Sequence, residues 1–175
     1  MLCRILGAIA SLCLIGCGSP SPWEKNPTRL YDYQVSDEFT VAHRQQIRQG
    51  VRTWEAALNG YLAFNEVPLN LDGKAISFNA TTVEDLKKTH PHGHASDGRH
   101  TIGYCRFQGV GSHLSLAEDL TDTNFDFVVL HELGHALGLD HSAPGSLMCE
   151  GTWCASEGIT ETDLSQFYAI WDPSH

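Results

Sequence analysis

Apolar residues at Ile47, Val51, Trp54 and Leu58 recur at helical spacing and place one apolar stripe along a helix between Ser36 and Asn59. Ser36 or Asp37 is positioned to cap its start, and Asn59-Gly60 to stop it. The pattern then changes to short strand-like runs: Leu62–Phe64, Ala75–Ala80, Thr101–Phe107 and His113–Leu116, the last following a Gly109-Val110-Gly111 turn. Helical periodicity returns at about Asn124–Leu137 and again at about Thr160–Trp171, where Thr160 is the cap and Asp163 stands at the third position. The fold class this predicts is α+β, a small sheet with one long helix before it and two helices after it. No internal repeat is present.

The first residues have a different character. Arg4 gives a positive start and Ile5–Ile15 a short apolar run, too short for the roughly 20 residues a spanning helix needs. The run ends Leu14-Ile15-Gly16-Cys17, which resembles the lipobox of bacterial lipoproteins, in which the cysteine is lipidated and the chain is cut before it. An ordinary export signal that happens to contain a cysteine is the alternative. On the lipoprotein reading, 1–16 is the signal, 17–35 the lipidated Cys17 and its tether, and 36–175 one folded domain. By resemblance to bacterial sorting signals, Gly18-Ser19 after the cysteine favours the outer membrane. The expectation is a chain anchored to the bacterial envelope and not spanning it.

Export alters the cysteine count. Cys3 and Cys13 leave with the signal, so Cys105, Cys149 and Cys154 remain, enough for one disulfide. Cys149 and Cys154 are the local candidate pair, with Cys105 left free; two reduced thiols are the alternative. The 175 residues carry 21 acidic against 11 basic side chains, a formal net charge of −10. Such a surface excludes a phosphate-tracking nucleic-acid binder. With 42% hydrophobic and 18% charged residues, the chain is neither a disordered acidic tail nor a membrane bundle. Ten histidines are many for this length.

Residues 131–141 read His-Glu-Leu-Gly-His-Ala-Leu-Gly-Leu-Asp-His. On a helix, His131 and His135 leave the same face one turn apart and can share a metal ion, while Glu132 stands beside it, able to take a proton from water. A third histidine six residues on cannot come from a continuing helix. Gly138 therefore marks a sharp turn that returns His141 to the other two. Three neutral nitrogens with an open fourth position form the layout of a catalytic zinc. The full pattern arises by chance on the order of 10⁻⁷ per start position.

With these residues the chain resembles the metzincin metallopeptidases. Ser146-Leu147-Met148 looks like their methionine turn, and Met148 is then expected to pack near the zinc histidines without ligating. Ser142 after the third histidine points to the matrixins, and Thr160–Tyr168 is similar to their closing helix. The position of an extra metal-ligating tyrosine in the astacin-like and serralysin-like branches is occupied by Glu150, which speaks against both. The resemblance implies a zincin domain with a small twisted mixed sheet, and one catalytic zinc on His131, His135 and His141. It also implies Glu132 as general base and a protein or peptide substrate. A monomer is expected. The run His113–Leu116 and its neighbours are expected to offer an edge on which an extended peptide adds.

Other features depart from the family or stay open. No cysteine-bearing propeptide is visible ahead of the domain, so control is expected from export, location or an inhibitor. The span after Met148 is short, and pocket preference does not carry over. His90, His92, His94 and His100 with Asp97 suggest a second, structural metal, but their spacing does not reproduce the family's ligands, and a solvated loop is the favoured reading. His43 is expected at the surface. Two rivals to the peptidase are a non-catalytic zinc-holding binding module on the envelope and a hydrolase of cell-wall peptide crosslinks.

Overall fold

The computed structural model describes residues 29–69, 75–89, 102–108, 111–149 and 158–172. In chain order these form β1 (Leu30–Val35), α1 (Val41–Ala57), β2 (Ala63–Glu66), β3 (Ile76–Thr81), α2 (Val83–Thr89), β4 (Gly103–Gln108), β5 (Gly111–Ala117), α3 (Asp122–Ala136) and α4 (Glu161–Trp171). The five strands make one mixed sheet in the order β2-β1-β3-β5-β4. All neighbours are parallel except β4, which pairs antiparallel with β5 and forms one edge. Among the described residues no helix is long and apolar enough to cross a membrane.

This is the expected α+β class, with corrections. The tether assigned to 17–35 ends sooner, because Leu30–Val35 is a strand inside the sheet. Tyr31, Tyr33 and Val35 are buried while Asp32 and Gln34 face outward, a period of two across six residues. α2 makes a fourth helix where three were expected. It has seven residues and buries only Leu86, too little to print a stripe on the sequence. The cap of α1 is Thr40, whose side chain accepts from the His43 amide at 3.1 Å, and not Ser36 or Asp37. His43 is buried, its ring stacked on Phe125 at 4.1 Å between centroids, so the surface expectation fails.

The helix carrying the histidines is held on two sides. α3 buries Phe125, Val128, Val129, Leu133 and Ala136 and contacts α1, β4 and β5. Every residue of 131–136 is buried as well, so the last turns of α3 are enclosed on all sides by other elements. Gly50 lets α1 approach closely, since a Cβ there would lie 2.5 Å from Cγ1 of Val129. The indole of Trp54 donates to the carbonyl of Leu130 at 3.0 Å, tying α1 to the turn just before His131.

α4 closes the other side. Phe167 is buried, and the Trp171 indole donates to the Leu137 carbonyl at 2.9 Å. At its start, the fully buried Asp163 carboxylate accepts from the Thr160 amide at 2.8 Å and the Thr160 hydroxyl at 2.7 Å, closing a capping box. The same carboxylate accepts from the amides of Leu147 at 3.0 Å and Met148 at 3.1 Å. Asp163→Ala would leave two buried amides without an acceptor. Its expected cost is about 3 kcal/mol or more, read as a lower urea midpoint of the metal-free protein; an unchanged midpoint would contradict this role.

Candidate metal centre

α3 ends in a C-cap that sets the geometry of the centre. The Leu139 amide donates to the Gly134 carbonyl at 3.0 Å and the Gly138 amide to the His135 carbonyl at 2.8 Å, the two bonds of a Schellman motif. Gly138 sits at φ +92°, in the left-handed region where a side chain costs energy. The chain reverses there and brings His141 back. Its ring lies 5.4 Å from that of His131 and 4.7 Å from that of His135, and those two are 4.8 Å apart.

One potential ligand atom from each histidine falls within 4.8 Å of the others, the only such group among the described residues. Nδ1 of His131 lies 2.9 Å from the Leu147 carbonyl, and Nδ1 of His135 lies 2.8 Å from the Leu139 carbonyl. A carbonyl only accepts, so both Nδ1 atoms carry the proton and Nε2 carries the lone pair, as metal-binding imidazoles require. Nε2 of His135 stands 3.1 Å from Nε2 of His141. Two nitrogens each about 2.0–2.1 Å from one tetrahedral zinc would be separated by roughly 3.3 Å, so the donor set fits that ion.

Charge follows burial. Desolvation, helped by the neighbouring His131, holds His135 down to about 3, so its ring is neutral. Burial pushes the Glu132 carboxyl up to about 8. Its Oε2 is buried without a hydrogen-bond partner among the described residues. A buried carboxyl oxygen left unpaired beside three imidazoles is costly unless a bound species satisfies it. His131 and His135 are buried whereas His141 is exposed, so the cluster opens to solvent on that side.

Met148 is fully buried. A Cβ on Gly134 would collide with its Sδ and stand 3.3 Å from Cζ2 of Trp54. The missing side chain lets the thioether and the indole pack directly against the metal-binding turn, and Met148 belongs to the packing. The turn closes on itself through the Ser142 amide, which donates to the Met148 carbonyl at 2.8 Å, and through a Ser142–Ser146 hydroxyl contact. Cys149 next to it is disulfide-bonded, and Cys105 is a buried thiol outside any disulfide.

The remaining expectations divide. Cys17, Cys154 and the His90, His92, His94, Asp97, His100 group lie outside the described residues. His113 sits on β5 opposite Arg106 and is not a member of the cluster. Of the peptide-accepting edge expected at His113–Leu116 and its neighbours, β5 itself is interior, bonded to β3 and β4, and the neighbouring β4 is an edge strand among the described residues. Sequence reasoning did not identify the carbonyls of Leu139 and Leu147 as orienting partners, for backbone acceptors leave no residue-type signal. Asp163 was legible as a cap, but its bonds to Leu147 and Met148 were not.

Most of the chain is similar in sequence to one known family. The matrixin peptidase family matches residues 23–167. Stromelysin-1 of Mus musculus is 44% identical over 55 residues, which cover 31% of this chain and 10% of that protein. A probable matrix metalloproteinase, 095L, of Invertebrate iridescent virus 3 is 34% identical over 109 residues, 54% of this chain and 28% of that protein. The chain therefore spans well under half the length of these relatives. Among solved structures, high choriolytic enzyme 1, a hatching-enzyme zinc-protease from Oryzias latipes, aligns with 20% identity and a TM-score of 0.43, over 68% of this chain and 49% of that one. With the family match running from before β1 into α4, the chain belongs to the matrixin family.

Proposed function

We propose that this chain is a zinc-dependent endopeptidase anchored to the bacterial envelope by a lipid on Cys17. The observation carrying the hydrolytic reading is the three-histidine cluster with a buried, unpartnered carboxyl oxygen on the adjoining residue. A bound zinc ion supplies Lewis acidity, which acidifies water and polarises a carbonyl.

The chain's own residues do the rest. His131 and His135, each oriented by a backbone carbonyl, present Nε2 towards a common point with His141. Glu132 takes the proton of the attacking water on its carboxylate and passes it to the departing amine, a role suited to a group whose proton affinity burial has raised. An extended peptide adds alongside β4, an edge strand of the sheet among the described residues. A site serving only to hold a metal would gain nothing from a buried carboxyl beside it and would bear its desolvation cost.

The envelope reading is supported by the Met1–Cys17 pattern. In a bacterial host, fatty-acid labelling and partition into a detergent phase are expected for the intact chain and not for Cys17→Ser; label on the variant would contradict lipidation at Cys17.

For the chemistry, the zinc-loaded protein is expected to cut a broad peptide mixture, and a chelator to abolish cutting. Glu132→Ala should lose roughly 10²–10⁴-fold in kcat with zinc content unchanged. A zinc-loaded protein that cuts nothing would favour the binding module. Cleavage of wall peptides but not of denatured protein would favour the crosslink hydrolase.

A further inference from the structure

Glycine opens β4, an edge strand among the described residues, where Gly103 pairs with Leu116 of β5. Glycine within a strand weakens it, and commonly marks a point where something approaches the backbone closely. Gly103 is not among the residues with positive φ, so its backbone is one that any amino acid could adopt. Space is what requires the glycine. A Cβ at this position would stand 2.6 Å from Oε1 of Glu132, 2.7 Å from its Cγ and 2.6 Å from Cγ1 of Val128. All three are far inside the roughly 3.5–4.0 Å at which non-bonded carbon atoms rest. Val128 and Glu132 are one turn apart on α3, so both face the strand.

We propose that Gly103 is a positioning residue for the general base: its bare Cα lets β4 close onto the Glu132 side chain and fixes the carboxylate against α3, next to the metal-binding imidazoles. The inference rests on the peptidase reading for its catalytic consequence. Oε2 of Glu132 has no hydrogen-bond partner among the described residues, so packing has to set where this carboxylate sits. Packing comes from α3 on one side and from Gly103 on the other. A methyl group at 103 must displace either the strand or the carboxylate. The strand is hydrogen-bonded to β5 over Gly103–Gln108, whereas the carboxylate turns about single bonds. The carboxylate therefore moves, and a misplacement of about 1 Å in a reacting group can lower a rate roughly 100-fold.

The test uses the full-length, zinc-loaded protein with Gly103→Ala, Glu132→Ala and the double variant. Gly103→Ala is expected to keep its zinc and to lose roughly 100-fold in kcat, with KM within about two-fold of the parent. It should also lower Tm. In the Glu132→Ala background the same substitution should lower Tm by about half as much or less, because the crowded carboxylate is gone. Parent-like kcat, or equal Tm losses in the two backgrounds, would overturn the assignment; equal losses would place the crowding on Val128 alone. If Gly103→Ala does not fold, Val128→Ala/Gly103→Ala is compared with Val128→Ala, which removes the second clash; the kcat loss must persist. No cleavage by the parent would overturn the peptidase reading instead, and the Tm comparison would still decide the contact between Gly103 and Glu132.

Discussion

The buried carboxylate of Asp163 joins two stretches of chain that the sequence keeps well apart. Its Oδ2 caps α4 through Thr160 and also accepts from the Leu147 amide, while Oδ1 accepts from the Met148 amide. The Leu147 carbonyl, on the far side of that held residue, receives Nδ1–H of His131. The tautomer and rotation of the His131 imidazole thus depend on a carboxylate at the start of α4, outside the histidine cluster. Its orientation is communicated through one peptide unit. Hydrogen bonds to an ionised acceptor are among the stronger ones in a protein, and in a dry interior they resist rearrangement.

The second constraint is desolvation. His131, Glu132 and His135 lie in a part of α3 walled by Trp54, Met148 and the sheet, where an unpaired charge is costly. That setting keeps His135 neutral and raises the proton affinity of Glu132. Both shifts suit a metal site with an adjacent base: neutral imidazoles offer lone pairs, and a carboxyl with raised proton affinity can both accept and release a proton near neutral pH. Close packing that produces this environment needs missing side chains. Gly50 admits α3 to α1, and Gly134 admits Met148 to the metal-binding turn.

The three-histidine cluster was legible because metal chemistry demands particular residue types at particular offsets: His131 and His135 on one helical face, Gly138 at the reversal, His141 beyond it. Long amphipathic elements were legible too, since α1, α3 and α4 repeat their apolar positions over several turns. β1 was hidden because Tyr31, Tyr33 and Val35 alternate over only six residues directly after a proline-rich stretch. α2 was hidden by its brevity. Which strand forms the edge was not readable at all. Strand order is decided by crossovers and not by residue type, so nothing in His113–Leu116 and its neighbours told that β5 lies between β3 and β4 and that β4 takes the edge. His43 looked exposed because one polar residue on a helix gives no sign that Phe125 will stack on it.

Zinc K-edge X-ray absorption on the zinc-loaded chain, beside His141→Ala, tests the central claim most directly. Three imidazole nitrogens and one light ligand at about 2.0–2.1 Å are predicted for the parent, with one imidazole fewer in the variant. A sulfur scatterer, or a spectrum unchanged by His141→Ala, would contradict the account.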